Sequence, residues 1–211
     1  LEPGHYLEID CKNFNSLKIN RWWKPKIKEQ KISFLDAKNI VREKFLENIS
    51  KNLRSDVKIG AALSGGIDSS SIVCSIKHLE PDAEINTFSY VPNDVNISEE
   101  YWIDIINSHT RSISHKFNFS NEEFISDFDN LILTQGEPFG GTSIYASYRL
   151  YKLAKEKGVT VTLDGQGADE ILGGYNGFPG YRLHSMIDNR EFVSAFKFLN
   201  AWSRYPNRSK Y

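Results

Sequence analysis

One run constrains this chain more than any other: Ala62-Leu63-Ser64-Gly65-Gly66-Ile67-Asp68-Ser69-Ser70. It follows an apolar stretch, residues 57–61, that reads as a buried strand. It precedes Ile72, Val73 and Ile76, whose spacing suits the buried face of a helix. A strand, a Gly-rich turn and a helix start together make an anion site. Gly65 and Gly66 let the backbone curl so that successive N–H groups point into one concavity. The helix N-terminus adds its positive end. Ser64, Ser69 and Ser70 offer hydroxyls to phosphate oxygens. Asp68 repels a bare phosphate, so its expected task is to hold a hard cation that bridges phosphates. The plain structural alternative is a tight turn capped by Asp or Ser. No Lys follows the glycines, which excludes the Walker A loop.

A second run repeats the pattern. Residues 159–163 read Val-Thr-Val-Thr-Leu, rich in β-formers. They lead into Asp164-Gly165-Gln166-Gly167-Ala168-Asp169-Glu170-Ile171-Leu172-Gly173-Gly174-Tyr175. The glycines again allow backbone to approach a ligand. The first run resembles the SGGxDS pyrophosphate loop of N-type ATP pyrophosphatases, which cleave ATP to AMP and pyrophosphate to adenylate an acid or carbonyl oxygen. Both runs, with Gly136-Glu137-Pro138-Phe139 and residues 143–158, resemble the synthetase domain of glutamine-dependent asparagine synthetases over about residues 1–184.

That resemblance implies ATP and Mg²⁺ as cofactors. It implies a PP-loop fold of the adenine nucleotide α-hydrolase type. It makes Asp68 and Asp169 the metal ligands, against the alternative of two helix N-terminal acids. Ser64, Gly65, Gly66, Asp68, Ser69 and Ser70 would wrap the pyrophosphate, and Leu63 would offer backbone atoms near the adenine. Asp164, Gly165 and Gln166 fall where relatives place nucleotide and intermediate contacts. Some members carry Glu at the position of Gln166. Gln cannot exchange a proton, but it can orient an adenylate or ammonia. Ser89, in the strand-like Thr87-Phe88-Ser89-Tyr90, is either an adenine-edge contact or plain core. Glu137 is either an acid facing the crevice or part of a turn bent by Pro138. Glu99 and Glu100 read as helix-start acids, and Glu170 as structural. Tyr145, Tyr148 and Tyr151 read as a core stripe, with Arg149, Lys152 and Lys155 on the solvated face.

Bulk properties narrow the partners. The 211 residues are 40% apolar and 25% charged with a net charge of −1, so no global field recruits nucleic acid. Residues 18–31 are locally basic around Trp22 and Trp23 and read as a solvated linker. Cys11 and Cys74 make no disulfide framework, which fits a reduced, cytoplasmic setting. His5, His78, His109, His115 and His184 show no zinc-ligand spacing. No apolar run approaches the ~18 residues of a membrane span. The chain starts at Leu1 and its only Met is Met186, so the expectation is a fragment.

Strands near 57–62, 86–91, 114–119 and 159–163 alternate with helices near 68–79, 98–109, 121–134, 143–157 and 168–173, after an amphipathic helix over 34–53. The alternation predicts an α/β, doubly wound, mostly parallel sheet whose ligands sit at the strands' carboxyl ends. One more helix is expected around Phe192, Phe196, Leu199 and Trp202. By resemblance, residues 1–31 are the tail of a glutaminase domain and a linker, 32–184 the ATP-pyrophosphatase domain, and 185–211 the start of a helical C-terminal region. The expected activity is amide formation: L-aspartate is adenylated and attacked by ammonia. Alternatives are another carboxylate, such as a sugar acid, intramolecular amide closure, or nucleotide binding without turnover. The glutaminase nucleophile, a cysteine at the extreme N-terminus, has no equivalent here, since Cys11 lies in a strand-like tail. Homodimer assembly is left open.

Overall fold

The computed structural model describes residues 1–28, 30–94 and 96–204. The chain divides into two compact units, Leu1–Glu43 and Lys44–Tyr211. Residues 205–211 of the expected C-terminal segment lie outside the described residues.

In the first unit, β1 (His5–Asp10) pairs antiparallel with β2 (Asn13–Arg21), with an irregularity between Ile9 and Asp10. Gly4 adopts φ +71°, and its carbonyl accepts the N–H groups of Trp22 and Trp23 at 2.9 and 3.2 Å. A Cβ on Gly4 would overlap the Trp23 carbonyl, so the turn into the hairpin requires glycine. Ser33 Oγ accepts the Asp36 N–H at 3.1 Å and so caps α1 (Phe34–Asn52). The expected amphipathic face of α1 is buried only late in the helix. Ile49 is buried, with Phe45 packed against the same core, whereas Phe34, Leu35, Ile40 and Val41 are exposed.

The second unit follows the predicted alternation. Its elements begin with β3 (Ile59–Ala62), α2 (Ile67–Leu79), β4 (Asn86–Tyr90), α3 (Glu100–Thr110) and β5 (Ile113–Phe117). They continue with α4 (Asn121–Gln135), α5 (Ser143–Glu156), β6 (Val161–Leu163), α6 (Ala168–Leu172), α7 (Phe178–Asp188) and α8 (Phe192–Trp202). The strands form one parallel sheet in the order β5-β4-β3-β6. Side chains alternate between its faces. On one face Ala61 and Leu63 pack with Ile72, Val73 and Ile76 of α2, Ile103 of α3 and Ile49 of α1. On the other, Phe88 packs with Ala154 of α5 and with Val159. Helices therefore cover both faces, as a doubly wound α/β fold requires. The strand β3 has β4 on one side and β6 on the other. The crevice expected at a reversal of strand order thus opens at its carboxyl end.

Helix α4 starts in a capping box, in which Ser120 Oγ accepts the Glu123 N–H and Glu123 accepts the Ser120 N–H. It is stitched to α5 by polar contacts. Asp127, buried, accepts the Tyr145 hydroxyl at 2.9 Å, the Arg149 guanidinium at 3.2 Å and the Lys152 ammonium at 3.0 Å. These contacts correct two expectations. Arg149 and Lys152 are not merely solvated, because α4 docks an acid beneath them. Tyr151 does not share the buried position of Tyr145. Six residues on a helix is a rotation of about 240° from Tyr145, and Tyr151 is 48% exposed whereas Tyr145 is 0% exposed. A further helix, α7, had no expectation. Its opening Phe178-Pro179-Gly180 reads as a turn, yet Pro is tolerated in a first helical turn.

Candidate active site

The loop between β3 and α2 is held from inside. The Ser64 N–H donates to Ser69 Oγ at 3.1 Å, and the two hydroxyls lie 3.0 Å apart. The Gly66 N–H donates to Ser64 Oγ at 3.2 Å, and Ser69 Oγ donates to the Gly66 carbonyl at 3.2 Å. Ser64 and Ser69 therefore serve first to shape the loop, and Ser70 keeps a hydroxyl that takes no partner among the described residues. Gly66 is the N-cap of α2 and supplies no side-chain oxygen. The first-turn N–H groups of α2 are thus left for an incoming anion.

Gly65 sits at φ +89°, and a Cβ there would meet the Glu99 carbonyl oxygen at 2.9 Å and the Trp102 Cβ at 3.3 Å. The start of α3 therefore buttresses the loop. Trp102 is a support that its sequence position did not reveal. Its signal is indirect: a glycine at positive φ needs something close by to make it obligatory.

The second run meets the first. A Cβ on Gly165 would lie 3.2 Å from both the Asp68 Cβ and the Ser69 nitrogen. The loop after β6 thus closes onto the loop after β3 at the carboxyl end of neighbouring strands. Asp164 Oδ1 accepts the Gln166 N–H at 3.3 Å, and its Oδ2 accepts the Tyr151 hydroxyl at 3.2 Å. Gln166 itself is exposed. Asp169, in the first turn of α6, lies directly over Gly174, where no Cβ could fit. Glu170 accepts the Tyr175 hydroxyl at 2.9 Å, a structural role.

The remaining candidates differ in placement. The Leu63 N–H donates to the Phe88 carbonyl at 2.9 Å, so only its carbonyl is left for a ligand. Ser89 is fully buried, and its hydroxyl is the buried side-chain polar atom without a partner among the described residues. Glu137 is exposed on the 136–142 loop, with no hydrogen bond or ion pair to the other candidates.

The donors suit magnesium. Asp68 and Asp169 are each half-buried, and neither carboxylate is spent on a hydrogen bond or ion pair among the described residues. Mg²⁺ takes one or two carboxylates and completes its shell with water and phosphate, so it needs no larger protein cage. No cluster of three or more His, Cys, Asp or Glu is gathered among the described residues.

Residues 40–208 match the asparagine synthase family. The chain belongs to that family. It is 32% identical over 187 residues to a putative glutamine-hydrolyzing asparagine synthetase of Methanocaldococcus jannaschii, covering 87% of this chain and 35% of that protein. It is 34% identical over 140 residues to an asparagine synthetase of Bacillus subtilis, covering 64% of this chain and 21% of that protein. The chain thus spans about a third or less of these curated relatives. An NH3-dependent NAD synthetase of Campylobacter jejuni is similar in structure at a TM-score of 0.44 and 18% identity, over 65% of this chain and 60% of that one. No described helix of this asparagine synthase family member is long and apolar enough to cross a membrane.

Proposed function

We propose that this chain carries the ATP-pyrophosphatase part of an amide-forming ligase. The observation that supports it most is the contact of Gly165 with Asp68 and Ser69, which makes one crevice of two Gly-rich loops. In this reading ATP lies with its phosphates on the curl of Ser64, Gly65 and Gly66 and on the first turn of α2. Ser70 donates its free hydroxyl, and Leu63 edges the adenine through its backbone. Asp68 and Asp169 hold Mg²⁺, which would neutralise the pyrophosphate as it leaves. A carboxylate oxygen attacks the α-phosphorus, the bond to pyrophosphate breaks, and ammonia then displaces AMP from the acyl carbon. The chain's contribution is positioning and charge. Gln166 orients the adenylate or ammonia by hydrogen bonds, and Glu137 is the acid offered for proton transfer.

L-aspartate is the proposed acceptor and asparagine the product, in keeping with the family. The proposed division is a glutaminase-domain tail and linker over 1–31, the synthetase domain over 32–184 and the start of a helical region from 185. In a longer chain a glutaminase domain would deliver the ammonia. A cytoplasmic setting fits the two free cysteines. Following ATP by ³¹P NMR with Mg²⁺, L-aspartate and ammonium tests the reading. Aspartate-dependent AMP and pyrophosphate are expected. Turnover only with a different carboxylate, such as a sugar acid, would replace the acceptor. Intact, bound ATP with every acid would leave a nucleotide-binding module.

A further inference from the structure

Asp164 follows β6 at the mouth of the crevice, where a bare carboxylate would oppose an incoming polyphosphate. Both of its oxygens are already engaged. Oδ2 accepts the Tyr151 hydroxyl at 3.2 Å, from a helix on the face of the sheet. Oδ1 accepts the Gln166 N–H at 3.3 Å, from its own loop. The residue between these two anchors is Gly165, the point of contact with Asp68 and Ser69. Partial burial and the neighbouring Asp164 charge push the Tyr151 phenol above its ordinary range, so it stays a donor at neutral pH.

We infer that Asp164 is a strut for the 164–167 loop rather than a nucleotide contact, and that Tyr151 is the positioning residue that holds it. The inference rests on the ATP reading above and assigns a role within it. The Gln166 N–H is turned to Asp164. What meets the nucleotide is then the Gly165 backbone and the Gln166 side chain. Their placement depends on where α5 pins the Asp164 carboxylate. Tyr151 contributes through one hydroxyl, 13 residues distant in sequence, which explains why loop motifs alone give no sign of it.

The test uses Tyr151→Phe in the full chain, which removes the hydroxyl and keeps the ring. Two quantities are measured: Mg·ATP affinity by calorimetry, and hydrogen exchange at the Gln166 N–H. The variant should bind Mg·ATP about three- to tenfold more weakly, the loss expected for one half-exposed hydrogen bond to a charged group. It should also exchange the Gln166 N–H faster. Asp164→Ala should do the same, and the double variant should be no worse than Asp164→Ala alone. Tyr148→Phe, on the same helix, should match the parent in both. Parental affinity and exchange in Tyr151→Phe, or losses that add in the double variant, would overturn the assignment. If the parent chain itself fails to bind Mg·ATP, the ATP reading falls, and the exchange comparison still decides whether Tyr151 and Asp164 hold the loop.

Discussion

Gly165 stands so close to Asp68 that a Cβ on it would lie 3.2 Å from the Asp68 Cβ. Contact that tight is borne only if the neighbour gives by a few tenths of an ångström. Gly165→Ala should therefore leave the fold intact, because its φ lies outside the left-handed region, while spreading the two loops. We expect Mg·ATP affinity to fall by about three- to tenfold, roughly 1 kcal/mol, and Gly165→Val to bind none that calorimetry detects. Unaltered affinity in the Val variant would place the nucleotide elsewhere.

Gly65 is a harsher case. Its φ of +89° and the Glu99 carbonyl 2.9 Å from a would-be Cβ combine backbone strain with a backbone clash. Gly65→Ala should lose about 2 kcal/mol or more of stability as well as nucleotide binding. A fall in Tm of roughly 4–8 °C is the corresponding thermal signature. A Tm within a degree of the parent would mean that α3 yields freely.

Asp68 should matter to the cation and little to the fold. Asp68→Ala removes an unpartnered, half-buried carboxylate, so thermal stability should hold or rise slightly. The Mg²⁺ dependence of ATP binding should vanish, as should the effect of adding a chelator. Titration calorimetry with and without Mg²⁺ reads this directly. A variant that still gains affinity from Mg²⁺ would remove Asp68 from the metal site.

Asp127 links stability to pH. Burial pushes its carboxyl up, but the hydrogen bonds from Lys152 and Tyr145 and the charges of Lys152 and Arg149 outweigh this and hold it below its ordinary value. A depressed folded value means that the stabilisation is present above the unfolded value of about 4 and is lost as pH falls through the folded one. Asp127→Ala leaves Arg149 with Glu123 but takes the ion-pair partner of Lys152 and the acceptor of the buried Tyr145 hydroxyl, so it should cost about 1–3 kcal/mol at pH 7. The gap between parent and variant in urea denaturation should narrow below about pH 4. A gap that stays constant to pH 3 would show that the Asp127 carboxyl titrates alike in the folded and unfolded states.

The alternation of strands and helices was legible because buried parallel strands and amphipathic helices leave different periods in a sequence. The Ser64–Ser70 run was legible as a loop because glycine beside hydroxyls and an acid has few other uses. Its inner hydrogen bonds were not: nothing in the order of residues says that Ser69 turns back to Ser64 rather than outward. Arg149 was read as solvated because its own helix gives no sign of Asp127, 22 residues earlier and on another helix. Tyr151 and Trp102 were missed for the same reason. Each acts across an element boundary, and spacing along one helix carries no record of what docks against it.

The pairing of β3 with β6 has a consequence for the order in which this chain can acquire its shape. Ile59 lies beside Val161, with β4, β5 and four helices threaded between them. The Ser64–Ser70 loop leaves the ribosome first, and its opposite wall follows about 100 residues behind. At roughly 5–20 residues per second that is a wait of about 5–20 s. Until then the apolar flank of β3 is an open sheet edge. The high sequence separation that builds the crevice also makes this the stage at which the nascent chain is most exposed to mispairing.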